Sequence, residues 1–265
     1  MQVVRFFLRV LSMVCVALLS LFGCAPDDAL DDGAPSVAAT DEIVGGRRDR
    51  AAHPAVLAIA IGDRGLCTGT LIAPDLILTA RHCVSEVIER VDCASPAPQV
   101  LSDYAPSQLA VLSGDDARGA SVIARGARVL VPRGRTLCGA DVAVIVLDRA
   151  LSAIAPMRVD ATAALTVGDR LTVVGFGARG SEVSAPYGVR YQRSVSVVDW
   201  SAREFVAGRS VCSGDSGGPA IDARTGAVVG VLSRGSDPCT ARDATAIWTH
   251  VSVAKSLIAA ARRDH

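Results

Sequence analysis

Three short stretches of this 265-residue chain carry residue types that can do nucleophilic chemistry. Leu78-Thr79-Ala80-Arg81-His82-Cys83 sets a histidine after an apolar run and directly before a cysteine. Asp141-Val142-Ala143-Val144-Ile145-Val146-Leu147 sets an acid at the head of an apolar strand. Cys212-Ser213-Gly214-Asp215-Ser216-Gly217-Gly218-Pro219 sets a serine in a glycine-rich turn. A serine hydroxyl is a weak nucleophile at neutral pH and needs a base, most often imidazole, to take its proton. Glycines let the backbone turn tightly, so that successive N–H groups can point at one spot. Each stretch has a plainer reading alone: a surface or core histidine, an acid at a strand edge, a simple turn. Their joint presence favours chemistry. His53, His82, His250 and His265 are scattered without zinc spacing, so neither a metal site nor a cofactor is expected.

The elements that must hold these residues read as strands. Val56–Ile61, Leu71–Ile72, Leu76–Leu78, Val142–Leu147, Leu171–Val174, Val195–Val198 and Ala227–Leu232 are short, rich in valine and isoleucine, and broken by turn residues. That is an all-β pattern. The stretch 84–140, with Pro96, Pro98, Pro106 and Pro132, reads as mostly loop. Near the C-terminus, Ser252 is the expected cap of a helix in which Val253, Leu257, Ile258 and Ala261 share one face.

Half the residues are hydrophobic and the formal net charge is zero, which excludes a nucleic-acid binder driven by a basic surface. Arg5 and Arg9 precede an apolar run from Val10 to Phe22, too short for a comfortable membrane span, so residues 1–23 read as an export signal. Leu21-Phe22-Gly23-Cys24 resembles a bacterial lipobox, in which Cys24 would be lipidated. Residues 24–42 contain Asp27, Asp28, Asp31, Asp32, Asp41 and Glu42 among small residues and read as a flexible acidic tether or propeptide. Cys67, Cys83, Cys93, Cys138, Cys212 and Cys239 follow, an even set consistent with disulfides after export, though their pairing stays open at this point.

Residues 43–262 as a whole resemble the chymotrypsin-like (trypsin family) serine peptidases, in a bacterial exported form. The resemblance implies two packed six-stranded β-barrels with a C-terminal helix, a peptidase domain over 43–265, and a cleft between barrels. It implies that His82, Asp141 and Ser216 are the catalytic triad, and that the N–H groups of Gly214 and Ser216 form an oxyanion hole. Ile43-Val44-Gly45-Gly46 matches the family's mature N-terminus, whose freed amine pairs with the aspartate before the nucleophile, here Asp215. The family pattern pairs Cys67 with Cys83 and Cys212 with Cys239. Cys93 and Cys138 are then left over and, by subtraction only, are expected to brace the loop before Asp141.

Ser210 matches the base of the specificity pocket, with Val211, Ser233, Gly235 and Ala246 around it. A neutral base implies a medium-sized apolar substrate residue, unless Arg209 turns inward and favours acids. Arg81 replaces a small residue before the histidine, and Arg234 stands where tryptophan is common. The expected function is serine endopeptidase action on proteins or peptides by an exported monomer activated by another protease, either held at the cell envelope only through lipid on Cys24 or secreted after processing. The main rival, a non-catalytic homologue, usually lacks a triad member, and this chain keeps all three.

Overall fold

The computed structural model describes residues 46–180 and 186–263. The strands are β1 (Arg47–Arg48), β2 (Val56–Ile61), β3 (Leu66–Ala73), β4 (Leu76–Thr79), β5 (Ser85–Val87), β6 (Val100–Asp103), β7 (Leu109–Leu112), β8 (Val122–Leu130) and β9 (Ala143–Leu147). After them come β10 (Arg170–Gly175), β11 (Tyr191–Trp200), β12 (Glu204–Gly208), β13 (Pro219–Asp222), β14 (Val228–Gly235) and β15 (Thr245–His250), and last the helix α1 (Lys255–Arg263). Export signal, tether, Cys24 and Ile43 lie outside the described residues.

Two six-stranded antiparallel barrels result. The first closes in the order β2-β3-β4-β9-β8-β7. The second runs β11-β10-β13-β14-β15-β12 and closes where β12 pairs back onto β11. The long β11 also takes β1 near its start, Arg47 opposite Gln192. Closure leaves few free edges, which suits short strands that could not stand alone. In the first barrel β4 and β9 are buried along their whole length, which accounts for their unbroken apolar sequences.

The stretch 84–140 holds more structure than its prolines suggest: β5, β6, β7 and β8 all fall in it, and β7 and β8 are barrel staves. Pro106 opens a one-turn 3-10 segment that delivers the chain into β7 instead of ending order. The C-terminal helix also starts differently. A 3-10 turn spans Val251–Ala254, and the His250 ring, not Ser252, accepts the capping bond from the Ser252 N–H. Ile258 and Ala261 are buried on the face that docks on β9, whereas Val253 and Leu257 are only partly covered.

Polar contacts join the barrels. Buried Arg190, just before β11, donates to Asp49 at 2.8 Å and to the Val56 carbonyl of β2 at 2.8 Å. Asp49 also accepts from the His53 N–H at 3.0 Å. Three disulfides form: Cys67–Cys83, Cys93–Cys138 and Cys212–Cys239.

Candidate active site

β4 runs buried to Thr79, and the chain then leaves the barrel in a 3-10 turn over Arg81–Cys83. The disulfide to Cys67 on β3 pins that turn. Thr79 pairs with Ala143, so the chain after β4 and the chain before β9 emerge together at one end of the barrel. Asp141 arrives there and meets His82 twice. Its Oδ1 accepts from the His82 backbone N–H at 3.0 Å, and its Oδ2 lies 2.8 Å from His82 Nδ1. Ser233 Oγ, from β14 in the other barrel, donates to the same Oδ2 at 2.7 Å.

Burial alone would raise the Asp141 pKa, but the charge and hydrogen bonds of His82, with Ser233, hold it below the ordinary carboxylate value. Burial likewise pulls His82 down, and the charge and hydrogen bond of Asp141 outweigh it, so the imidazole sits above its ordinary value. An ionised Asp141 only accepts, so Nδ1 carries the proton and Nε2 is left as the basic nitrogen.

The Ser216 turn is locked against the same end of the first barrel. Thr68 of β3 donates its N–H to Ser216 O at 2.8 Å and its hydroxyl to Gly214 O at 2.9 Å. Gly217 has φ +80°, and a Cβ there would overlap Thr79 Oγ1 and the Thr68 carbonyl. Only glycine brings the serine turn this close to the strand that leads to His82. Asp215 folds beneath the turn, accepting from Gly177 N–H at 2.8 Å and Cys212 N–H at 2.9 Å. Burial pushes its carboxyl up to about 7, against the pull of those two bonds. No cation among the described residues pairs with it.

A cavity of about 670 Å³ opens beside Ser216, lined also by Gly214, Val211, Leu232, Arg234 and Gly235. The N–H groups of Gly214 and Ser216 donate to nothing among the described residues. Val211 and Gly235 are neighbours in the cavity lining: Val211 Cγ2 lies 3.5 Å from the position a Cβ on Gly235 would take. Ser210, Ser233 and Ala246, expected as pocket residues, do not line it. Ser210 and Ala246 are sealed at 1% and 0% exposure, and the Ser233 hydroxyl is turned to Asp141. Val211 is the wall that the cavity meets, and Ser210 Oγ has no hydrogen-bond partner among the described residues. Arg209 turns away from the cavity, donating to the Thr240 carbonyl at 3.0 Å.

The two unusual arginines are both accommodated. Arg81 is buried, donating to Ser85 Oγ at 2.9 Å and to Asp103 at 2.7 Å. Arg234 binds Glu204 end-on, at 2.7 and 3.1 Å, and reaches Ser233 Oγ at 3.2 Å. Glu204 also accepts from the Gly139 N–H at 2.8 Å, two residues before Asp141. Nothing local in the sequence marks Glu204, whose partners lie on β14 and in the loop before Asp141. Cys67, His82 and Cys83 cluster within 4.8 Å, but the two sulfurs are bonded to each other and cannot ligate a metal.

A family model described as Trypsin matches residues 43–258. The cercarial protease of Schistosoma mansoni is 25% identical over 217 residues, covering 69% of this chain and 76% of that protein. A protein C activator of Agkistrodon contortrix contortrix is 25% identical over 227 residues, covering 79% and 91%. "Inactive snake venom serine proteinase 13" of Crotalus adamanteus is 27% identical over 231 residues, covering 79% and 82%. These relatives are animal proteins and lend nothing to a bacterial origin. No helix among the described residues is long and apolar enough to cross a membrane. With its two closed barrels and a family match that spans most of its length, the chain belongs to the trypsin family and is a serine-type endopeptidase.

Proposed function

We propose that the chain hydrolyses peptide bonds through an acyl-enzyme formed on Ser216, and that it prefers a medium-sized apolar residue before the scissile bond. The observation that carries this reading is the contact of His82 with Asp141, set at the barrel end where Thr68 and Thr79 hold the Ser216 turn. His82 Nε2 takes the Ser216 proton as the hydroxyl attacks the carbonyl, then gives it to the leaving amine. Asp141 keeps the proton on Nδ1 and stabilises the imidazolium. The free N–H groups of Gly214 and Ser216 receive the developing oxyanion, each such donor being worth about 3–4 kcal/mol. Val211, Leu232 and Gly235 give the cavity an apolar wall with no charged group among them, so a substrate cation buried against that wall would lack a partner; Arg64, Arg234 and Asp237 also line the cavity.

The proposal extends to activation. Residues 1–23 direct export, Cys24 carries the lipid, and 24–42 tether a peptidase domain over 43–265. Cleavage after Glu42 by another protease frees the Ile43 amine to pair with Asp215, whose buried carboxyl is met among the described residues by N–H groups alone. The Val211 wall offers the Glu42 carboxylate no cation, and Arg209 is turned to the Thr240 carbonyl, so self-activation is slow.

A fluorophosphonate probe should label Ser216 in the processed protein and leave Ser216→Ala unlabelled. A peptide-library digest should then show leucine, methionine, alanine or valine before the cut. An unlabelled, correctly processed and folded protein would favour a non-catalytic binding role, and arginine as the best residue would overturn the pocket.

A further inference from the structure

Arg234 sits at the junction of the cleft and the triad. Its Nη1 and Nη2 grip Glu204 end-on, and Nη1 also reaches Ser233 Oγ, whose hydroxyl holds Asp141. Glu204 is in turn fixed by the Gly139 N–H, and Gly139 O accepts from Arg203 Nε at 2.7 Å. The guanidinium is therefore held in one plane from several sides, so little side-chain freedom remains to be lost on binding a ligand.

A guanidinium has five N–H donors. The end-on edge is taken. The side edge, formed by Nε–H and the remaining Nη2–H, makes no hydrogen bond among the described residues. Arg234 lines the same cavity as Ser216, Gly214 and Gly235, and a quarter of its side chain is exposed. Gly235, its neighbour, lines the cavity in contact with Val211, so in the proposed binding mode Arg234 would stand beside substrate residues next to the one that rests on Val211. Arg64, which has no carboxylate partner among the described residues, lines the same cavity, as does Asp237. Tryptophan at this position would offer an apolar floor, whereas here the floor is a fixed planar cation with one fork open.

We propose that the open fork of Arg234 is a carboxylate subsite: the enzyme selects substrates with a glutamate or aspartate two to four residues before the scissile bond. A side-on, two-point bond to a carboxylate is the geometry in which arginine surpasses lysine. Glu204 tempers this subsite by placing one negative charge on the opposite edge. The inference rests on the peptidase reading and adds a substrate class to it.

The test uses processed enzyme and peptides with leucine fixed for the Val211 pocket. At each of the second, third and fourth positions upstream, glutamate is compared with glutamine. We expect kcat/KM to favour glutamate by about tenfold at one position, as suits a charge-assisted bond. Glu204→Gln should raise that ratio, Arg234→Lys should lower it, and Arg234→Met should bring it to one. Each ratio is internal to one variant, so a general loss of activity does not mask it. Binding of the same peptide pair to Ser216→Ala, read by fluorescence anisotropy, gives the ratio without catalysis. Cleavage with a ratio of one at all three positions, or a ratio unchanged in Arg234→Met, overturns the subsite and leaves the peptidase standing. Tighter binding of the glutamate peptide without any cleavage by the processed enzyme keeps the subsite and overturns the peptidase reading. A pair that is neither cleaved nor bound overturns both.

Discussion

Asp141 is gripped by both barrels, through His82 from the first and Ser233 from the second. Its carboxylate decides which imidazole nitrogen is basic. Asp141→Asn should keep the geometry and lose the tautomer, lowering kcat by about 10⁴. The pH profile carries the sign. Activity needs neutral His82, so the acid limb of kcat/KM should lie above the ordinary histidine value, where Asp141 holds it. In Asp141→Asn the raising causes are gone and burial remains, so the limb should move to lower pH. An acid limb that stays in place would show that Asp141 does not set the His82 proton affinity. Arg81 answers a different need: its guanidinium ties the His82 turn to Ser85 and Asp103. Arg81→Ala should lower stability by about 1–3 kcal/mol in a melting experiment, since the Ser85 and Asp103 groups lose a partner. The three candidate residues His82, Asp141 and Ser216 were legible as a set because each sits in a contiguous motif. The pocket was less so. Position along the chain pointed to Ser210 and Ala246, but Val211 and its branched side chain are what the cavity meets. Glu204 was not legible, because its partners Gly139 and Arg234 come from distant parts of the chain.

At the scale of elements, the serine turn matters through what it packs on. Gly217 holds φ +80° against Thr79 and Thr68, so Gly217→Ala brings both backbone strain and a collision. We expect a loss of about 1–3 kcal/mol in thermal or denaturant unfolding. Activity should fall further than stability, because relief of the collision moves Ser216 away from His82. A variant with normal melting and full activity would show that the turn can sit elsewhere. Strands buried on both faces, such as β2, β4 and β9, announced themselves as apolar runs. β8 did not: its burial alternates and Arg125, Gly126 and Arg128 interrupt it, since it bends around the barrel with one face in solvent. β6 is exposed along most of its length and carries too little apolar sequence to be seen. The helix cap was misplaced by two residues because a histidine ring took the role expected of serine.

At the scale of the molecule, pH and processing act together on one buried carboxyl of the second barrel, Asp215. Its carboxyl is buried, bonded to two N–H groups, and raised to about 7. A carboxyl whose folded pKa lies above its unfolded value contributes fully below the unfolded value. That contribution is lost as pH rises through the folded one. In the chain with residues before Ile43 still attached, stability should therefore fall between roughly pH 4 and pH 7, by an amount on the order of 4 kcal/mol. In the proposed pairing, processing would reverse the sign. An ammonium at Ile43 would favour ionised Asp215 and bring its pKa below the ordinary carboxylate value. Its contribution would then be present at neutral pH and lost on acidification. Calorimetric melting of the two forms across pH 4 to 8 should give curves that converge or cross at acid pH and part at neutral pH, the processed form being the more stable there. Asp215→Asn should flatten the curve of the unprocessed chain and remove the gain on processing, while crippling activity, because the buried amine loses its charged partner. Parallel melting curves for the two forms, with Asp215→Asn changing neither, would refute the pairing of Ile43 with Asp215.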